Sequence, residues 1–246
     1  MKRHILVLGI WMFSGACSLV LGASEPNTLT DAEKSAGWNL LFDGKTFDGW
    51  RSYRSHSIFT NWVVSDGCLH HLPKDKGGHD LISDAMFGDF ELAWDWKVAP
   101  RANSGVKYFI TEEGKAPLGF EYQMIDDVHW DKSGKSLLQT MHGTGALYDM
   151  LPPKNVHTAP VGDFNHSRIV VSGHHIEHWL NGKLVVQTDL GSSTLKSAIA
   201  RSKFRDVPRF GEYKRGHILL QDHGDEVWFQ NIKIRSTKHE ARAQAR

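Results

Sequence analysis

The fold of this chain is decided by residues 90–98, which read FELAWDWKV. Apolar side chains occupy the even positions of this stretch, and polar side chains occupy most of the odd positions. A period of two is typical of a β-strand that buries one face in a core and turns the other outward. An amphipathic helix would instead repeat its apolar residues every three to four positions. Residues 90–98 therefore predict a strand with one buried face.

The same period recurs outward from residues 90–98 along most of the chain. Further strand candidates are residues 40–42, 62–64, 106–110, 120–125, 168–172, 176–180, 184–187, 217–223 and 227–235. Asn181-Gly182 predicts a tight hairpin, because both residues tolerate a positive φ angle. Only residues 195–203 and a capping-box segment at residues 30–33 have helical patterns. The sequence thus predicts one all-β domain, a sandwich or a barrel, with one or two short helices.

Composition excludes several classes of function. The 246 residues include 29 Lys and Arg against 28 Asp and Glu, which gives a net charge of +1. Such a balance leaves no basic excess to neutralise phosphates, so a dedicated nucleic-acid binder is disfavoured. Two cysteines cannot form a disulfide framework. The chain is rich in aromatic residues, with 9 Trp, 12 Phe and 5 Tyr, and we expect most of these rings in the core.

Residues 1–23 have the order of a secretory signal peptide: a basic start, an apolar run and then small residues. Cleavage after Ala23 is one alternative. The other is lipidation of Cys17, where the sequence resembles a lipoprotein box. Both alternatives predict an exported protein, periplasmic or extracellular, with membrane attachment only if Cys17 carries a lipid. The remaining segments are expected to be an N-terminal segment at residues 24–36, the domain at residues 37–235 and a polar tail at residues 236–246.

The most informative polar pattern lies in residues 119–127, which read GFEYQMIDD. Strand alternation puts Glu121 and Gln123 on one face, about 6.6 Å apart. A carboxylate beside an amide suits a general base next to a group that binds hydroxyls. The alternative is a solvated sheet face. Asp127 has the same parity but lies about 20 Å along the strand, too far to complete the carboxylate pair of an ordinary glycosidase.

Residues 217–223, which read HILLQDH, repeat this pattern, since Gln221 and His223 share one strand face. The alternative is a set of surface polar residues near a strand end. Residues 174–178 read HHIEH and invite a metal site, but in a strand the two outer histidines stand about 13 Å apart and cannot chelate one ion. We therefore assign no metal ligand, and we expect no cofactor.

Two turns carry further candidate site residues. Asn103 begins a turn that leads Lys107 into a strand, where this lysine is either an electrophile or a solvated charge. His142 and Tyr148 flank a glycine-rich turn, and histidine is the commonest acid or base near neutral pH. Trp179 is a candidate for stacking on a sugar ring, with the core as its alternative location.

Seven stretches carry a family resemblance. They are GWNLLFDGKTFDGW (37–50), NSGVKYF (103–109), EYQMIDD (121–127), GALYD (145–149), EHWLNG (177–182), GHILLQDHGDEV (216–227) and FQNIKI (229–234). Together they resemble the 3-keto-disaccharide hydrolase family, also described as domain of unknown function 1080, over residues 37–235. The chain differs from the family pattern at Phe164, where tryptophan is usual, and at Phe120, where a smaller residue is common.

The resemblance implies a concanavalin A-like jelly-roll β-sandwich with 3-keto-glucoside 1,2-lyase or 3-keto-2-hydroxy-glucal hydratase activity. A ketone at C3 of a glucoside acidifies the hydrogen on C2, so a base can remove it and the resulting enolate can expel the C1 substituent. Water then adds to the 2-hydroxy-glucal, and the net outcome is hydrolysis. The implied partner is a 3-keto-sugar, either a small glucoside or an oligosaccharide, and not a nucleic acid.

This chemistry needs a base, an electrophile for the enolate oxygen and a proton donor. We expect Glu121 or His142 to be the base, Lys107 or His223 to stabilise the enolate, and Tyr148 to donate a proton. The expected substrate-binding residues are Asn103, Gln123, Asp126, Asp127, Gln221 and Trp179. The alternatives are a lectin-like sugar-binding module without catalysis, because jelly rolls serve lectins equally well, and an ordinary glycosidase acting on unoxidised sugar.

Overall fold

The computed structural model describes residues 25–74, 79–114 and 116–237. Its helices are α1 (Asp31–Ser35) and α2 (Ser193–Arg201). Its strands are β1 (Asn39–Leu40), β2 (Trp50–Ser52), β3 (Trp62–Ser65), β4 (Cys68–His71), β5 (Leu81–Phe87), β6 (Phe90–Val98), β7 (Asn103–Ile110), β8 (Phe120–Ile125), β9 (Asn165–Ser172), β10 (His175–Leu180), β11 (Lys183–Asp189), β12 (Gly216–Leu220) and β13 (Val227–Ser236). The expected signal peptide at residues 1–23 and residues 238–246 of the expected tail lie outside the described residues.

The strands form two antiparallel sheets. The larger sheet has eight strands in the order β11-β10-β9-β6-β13-β4-β3, with β1 paired to β13, and the smaller has five in the order β2-β5-β12-β7-β8. Neighbours in these sheets are mostly distant in sequence, as β6 beside β13 and β5 beside β12 illustrate. This arrangement confirms the all-β prediction and, within it, the jelly-roll sandwich with two short helices.

The periodicity predicted most strands. Residues 90–98 and 120–125 form β6 and β8 with the predicted bounds. The predicted strand at residues 217–223 is too long, because β12 ends at Leu220. The pattern missed β2, β4 and β5: the first is only three residues long, and β5 is buried at its start and exposed or half-buried along the rest.

The core between the sheets is aromatic. Trp94 and Trp96 of β6 are each 1% exposed, and Tyr122 of β8 packs edge-on against Trp94 with ring centroids 5.0 Å apart. The Tyr122 hydroxyl donates to the Trp179 carbonyl at 3.1 Å and accepts from the Ser167 hydroxyl at 2.9 Å. Burial of such rings supplies both apolar area and edge-to-face contacts. The tryptophans placed here serve packing, as the sequence predicted for most of them.

The predicted hairpin joins β10 to β11. Asn181 and Gly182 adopt φ angles of 46° and 77°, the two positive values that a tight turn of this hand requires. The predicted capping box also forms at α1, where the Thr30 side chain accepts from Glu33 N–H. Among the described residues no helix is long and apolar enough to cross a membrane.

Candidate active site

The outer face of the five-stranded sheet carries most of the predicted polar residues. In β8 the side chains of Phe120, Tyr122 and Met124 enter the core, so those of Glu121 and Gln123 point the other way. The antiparallel register sets Lys107 of β7 opposite Glu121, and residue 105 opposite Gln123. Strand pairing alone therefore brings a carboxylate, an amide and a lysine together.

These side chains line a cleft of about 550 Å³, which we call the central cleft. Its lining residues are Asn103, Lys107, Pro117, Leu118, Gly119, Glu121, Gln123, Tyr148, Lys203, Phe204, Gln221 and His223. A wider cleft of about 970 Å³, the side cleft, shares three of them and is lined by Asn103, Gln123, Ile125, Trp130, Asp131, Lys132, Leu137, His142 and Tyr148. The structure thus brings all of the predicted catalytic residues to one continuous depression, with His142 in its side cleft.

A short segment, residues 145–148, lies along the edge of the sheet beside β8. The Gly145 N–H donates to the Gln123 carbonyl at 2.9 Å, and the Tyr148 N–H donates to the Glu121 carbonyl at 3.0 Å. Gly145 has a φ of +83°, which favours glycine over residues with a side chain. These hydrogen bonds hold the segment along β8 and set the Tyr148 ring against the central cleft.

The floor of the central cleft is a buried charge cluster. Glu121 is only 5% exposed, and its Oε2 lies 3.9 Å from the Lys107 Nζ. Burial raises the pKa of Glu121, and the nearby charge of Asp80 raises it further, while Lys107, Lys203 and His223 partly offset this. The earlier prediction of a solvated sheet face as an alternative is therefore wrong. A carboxyl with a raised pKa beside a cation suits a base that takes a proton near neutral pH.

Asp80 is a member of this cluster that the sequence did not indicate. It precedes β5, is 6% exposed, and accepts the Asp222 N–H at 2.8 Å through Oδ1. Burial raises the pKa of Asp80, and the charge of Lys107 opposes that shift. One lysine therefore faces two buried carboxyls. No local pattern marks Asp80, because only the pairing of β5 with β12 brings it to the cluster.

Gly105 makes room for the Glu121 carboxylate. A Cβ atom at residue 105 would lie 2.7 Å from Glu121 Oε1 and 3.1 Å from the Tyr122 backbone oxygen. Real Cβ atoms essentially never show the 2.7 Å contact, so any side chain at residue 105 would displace Glu121. The glycine is thus a requirement of the cluster, and not of a turn.

Amide groups flank Glu121. The Gln123 side-chain nitrogen donates to Asn103 Oδ1 at 3.1 Å; with the amide turned over, it donates to Glu121 Oε1 at 3.2 Å and to the Ser104 carbonyl. The second orientation gives the Glu121 carboxylate a hydrogen-bond donor. Gln221 Oε1 is buried without a hydrogen-bond partner among the described residues. A buried acceptor left open in a cleft is suited to a ligand hydroxyl.

Two histidine–aspartate pairs stand at the sides of the depression. His142 Nε2 lies 2.9 Å from Asp149 Oδ1, and the Asp149 Oδ2 accepts the Lys203 N–H at 2.7 Å. His223 Nδ1 lies 3.4 Å from Asp225 Oδ2. An aspartate beside a histidine fixes the orientation of the ring, which a proton-transfer group requires.

Lys203 and Tyr148 form the opposite wall. The Lys203 Nζ lies 4.3 Å from the centre of the Tyr148 ring, a cation–π contact that turns the lysine toward the cleft. Burial raises the pKa of Tyr148, and the charges of Glu121 and Asp149 raise it further. The phenol therefore keeps its proton at neutral pH. Lys203 follows α2, where a sequence pattern cannot separate a site lysine from a solvated one.

Asp126 and Asp127 lie away from the central and side clefts, contrary to their predicted role. Strand β8 ends at Ile125, so the alternation that put Asp127 on the face of Glu121 stops before it. The Asp126 carboxylate accepts the Arg101 N–H at 2.8 Å and the His129 N–H at 3.1 Å, and Asp127 Oδ1 accepts the Thr144 N–H at 2.9 Å. Both side chains line another cleft and hold loops in place.

Trp179 also lies elsewhere than predicted. It stands on the outer face of the eight-stranded sheet, where the Arg168 guanidinium lies 4.2 Å from its ring centre and its Nε1 donates to Glu177 at 2.7 Å. The ring points outward because β10 buries the alternate side chains, but this strand belongs to the other sheet. Among residues 25–74, 79–114 and 116–237, no three side chains of His, Cys, Asp or Glu gather closely enough to hold a metal ion.

Comparisons with known proteins identify the family and support the fold. Residues 37–235 match the model of the 3-keto-alpha-glucoside-1,2-lyase-like domain. A 3-keto-disaccharide hydrolase of Bacteroides thetaiotaomicron is 33% identical, with 87% of this chain and 83% of that protein aligned. The crystal structure of a candidate glycosyl hydrolase from Parabacteroides distasonis superposes with a TM-score of 0.80 at 33% identity, covering 87% of this chain and 100% of that one. A second candidate glycosyl hydrolase of that organism gives a TM-score of 0.60 at 29% identity, over 81% and 99% of the two chains.

Proposed function

The chain belongs to the 3-keto-alpha-glucoside-1,2-lyase-like family, and from that premise we propose that it cleaves the glycosidic bond of 3-keto-glucosides by elimination and hydration. The observation that carries this proposal is the pairing of a buried carboxyl of raised pKa, Glu121, with Lys107 at 3.9 Å. The C2 hydrogen and the C3 oxygen of the substrate sit on adjacent carbons. A base and a cation this close to each other can act on both at once.

The first step is proton abstraction. The Glu121 carboxylate takes the C2 proton, and the electron pair of the C–H bond forms the C2–C3 double bond of an enolate. Negative charge develops on the C3 oxygen, where the Lys107 ammonium stabilises it in a largely buried setting. We assign the cation to Lys107 and not to His223, because Lys107 is the group paired with Glu121. His142 is not assigned this step, because it opens into the side cleft.

The second step expels the leaving group. The enolate re-forms the C3 carbonyl, the C1–C2 double bond forms, and the bond from C1 to the glycosidic oxygen breaks. Tyr148, whose raised pKa keeps it protonated, donates its proton to the departing oxygen. The His142–Asp149 pair then takes a proton from water as the water oxygen adds to C1, and protonated Glu121 returns its proton to C2. The proton on His142 passes to the Tyr148 phenolate, whose ring lies 5.3 Å from the His142 ring, centroid to centroid. Asn103, Gln123, Gln221 and His223 bind the sugar hydroxyls.

One experiment separates this proposal from its rivals. The purified protein is incubated with 3-keto-trehalose and, in parallel, with trehalose, and the products are followed by mass spectrometry. We expect 2-hydroxy-glucal or 3-keto-glucose from the first substrate alone. In D₂O the 3-keto-glucose should carry one deuterium at C2, above the exchange in a sample without enzyme. Binding without product would indicate a lectin-like module. Cleavage of trehalose would indicate an ordinary glycosidase.

The pH dependence of kcat/KM should depend on the buried cluster of Glu121, Lys107 and Asp80. A base must be deprotonated, so kcat/KM should fall as pH falls through the pKa of Glu121, with a midpoint above the ordinary value of 4.5. Asp80 contributes to that elevation, so D80N should move the acid limb to lower pH. D84N is the matched control, since Asp84 is exposed on β5, and it should leave the limb in place. An unchanged midpoint in D80N would mean that Asp80 does not influence the pKa of Glu121.

The glycine opposite Gln123 gives a second prediction. G105A should lower the free energy of unfolding by about 1–3 kcal/mol through overpacking, and it should lower kcat/KM by about tenfold or more because Glu121 is displaced. Chemical denaturation and steady-state kinetics measure the two effects. G114A is the control, because a Cβ atom there meets its nearest neighbour at 3.5 Å. Full activity in G105A would contradict the position assigned to the Glu121 carboxylate.

We also propose that the protein is exported. The support is the basic, apolar and small-residue order of residues 1–23, which lie outside the described residues. Expression of the full chain in a bacterial host, followed by fractionation and N-terminal mass spectrometry, tests this. Release after Ala23 and a diacylglycerol on Cys17 are the two supporting outcomes. Full-length protein in the cytosolic fraction would contradict it.

A further inference from the structure

A second pocket, the apolar pocket, opens beside the central cleft. It has a volume of about 570 Å³ and lies between residues 109–120 and residues 207–213. Its walls include Phe109, Phe120, Val207, Phe210 and Tyr213. The mechanism above uses none of these side chains. Aromatic rings converge on this side of the cleft, since Phe120 and Phe210 meet edge to face with centroids 5.6 Å apart.

The apolar pocket is continuous with the central cleft. Leu118 and Gly119 line both. Phe204, which lines the central cleft, stacks on Phe210 of the apolar pocket with ring centroids 4.3 Å apart and planes inclined by 6°. A substituent that leaves the sugar in the central cleft can therefore extend along an unbroken aromatic wall. Leu118, which lies between the two, is 39% exposed.

The chemistry of the walls selects the occupant. The described residues that line the pocket include no charged side chain, and the Tyr213 hydroxyl is already bonded to Glu113 at 2.9 Å. A second sugar would bury hydroxyl groups with few partners, which costs free energy. An aromatic ring would instead gain from burial and from edge and face contacts with the phenylalanines.

We propose that the apolar pocket binds the leaving group of the substrate, and that this leaving group is an aromatic aglycone. The enzyme then acts on aryl 3-keto-glucosides, with the sugar over Glu121 and the ring against the wall to which Phe210 and Tyr213 contribute. This inference rests on the proposed function, since it names the substrate class of the same site. A second sugar as leaving group would lie in the side cleft beside Trp130 and leave the apolar pocket empty.

The test compares phenyl and methyl 3-keto-glucosides as substrates. The methyl compound has a leaving group too small to reach the apolar pocket. Phenol also leaves more readily than methanol, so we expect kcat/KM to be at least about tenfold higher for the phenyl compound, and the change of the phenyl-to-methyl ratio in variants of the pocket isolates the part that ring burial supplies. Ala116 is exposed and lines the pocket, so A116W should fill it and A116D should place a charge in it without disturbing the core.

Both variants should lower kcat/KM for the phenyl compound by about tenfold or more and change that for the methyl compound less than about twofold. A32W, at an exposed alanine of α1, is the control and should change neither. Equal rates for the two compounds in the wild type, or an unchanged ratio in both variants, would overturn the proposal. If neither compound is turned over, the proposed function fails. Binding of phenyl glucoside to the wild type and to A116W, measured by calorimetry, then still shows whether the apolar pocket binds an aromatic ring.

Discussion

The E121Q variant is expected to lose about a thousandfold or more in kcat on a 3-keto-glucoside, because an amide cannot take the C2 proton and general-base catalysis supplies this range. The fold should persist, since glutamine has the same shape and Gly105 leaves space for it. Steady-state kinetics with mass-spectrometric detection measures the loss. C2 deuterium exchange into unreacted substrate should disappear in parallel, which ties the defect to the proton step.

E177Q is the matched control, because Glu177 lies on β10 in the other sheet. It should retain the wild-type kcat. Stability gives a second readout with a defined sign: the pKa of Glu121 is raised in the folded state, so its ionisation costs stability as pH rises above the ordinary value of 4.5. E121Q should therefore gain stability relative to wild type as pH rises above about 4.5. A kcat within tenfold of wild type would refute Glu121 as the base.

The K107M variant should lower kcat by about a hundredfold to a thousandfold, the range observed when one preorganised group that stabilises an oxyanion is removed. Methionine retains most of the length and the apolar stem of lysine. The substitution therefore removes the charge that lies 3.9 Å from Glu121 and changes the side-chain volume little. The pKa of Glu121 should rise further, because Lys107 opposes its elevation. The acid limb of the pH profile should thus move to higher pH.

K183M provides the control, since Lys183 is exposed on β11 of the other sheet. It should alter neither kcat nor the pH profile. A lower kcat with an unmoved acid limb would mean that Lys107 acts without contact to Glu121. If K107M instead raised KM and left kcat intact, Lys107 would bind the ground state of the sugar and His223 would become the candidate for the enolate.

Much of this site could be predicted from local alternation. Glu121 and Gln123 face away from the core because residues 120–125 form one regular strand, and Lys107 meets Glu121 because β7 and β8 pair as neighbours along the chain. The alternation of polar and apolar residues, the short connection between β7 and β8 and the family motifs were sufficient to predict the positions of these residues. The fold class followed for the same reason, since the period recurs over most of the chain.

The rest depends on contacts that no local pattern encodes. Asp80 reaches the charge cluster through the pairing of β5 with β12, whose residues are more than a hundred positions apart in the chain. Lys203 lies at the site because it follows α2, a helix that packs beside the sandwich. Trp179 was misplaced because β10 joins the eight-stranded sheet through β9, and β9 enters that sheet by its long-range pairing with β6. Asp127 was misplaced because alternation holds only as far as the strand extends.

The segment that sets Tyr148 against the cleft has a consequence for the behaviour of the protein in solution. Strand β8 is the last strand of its sheet, and an open edge presents unpaired N–H and C=O groups to any other chain. The hydrogen bonds from Gly145 and Tyr148 occupy part of that edge. Shortening this loop would therefore expose a template for intermolecular strand addition, so the same few residues that complete the pocket also guard against aggregation.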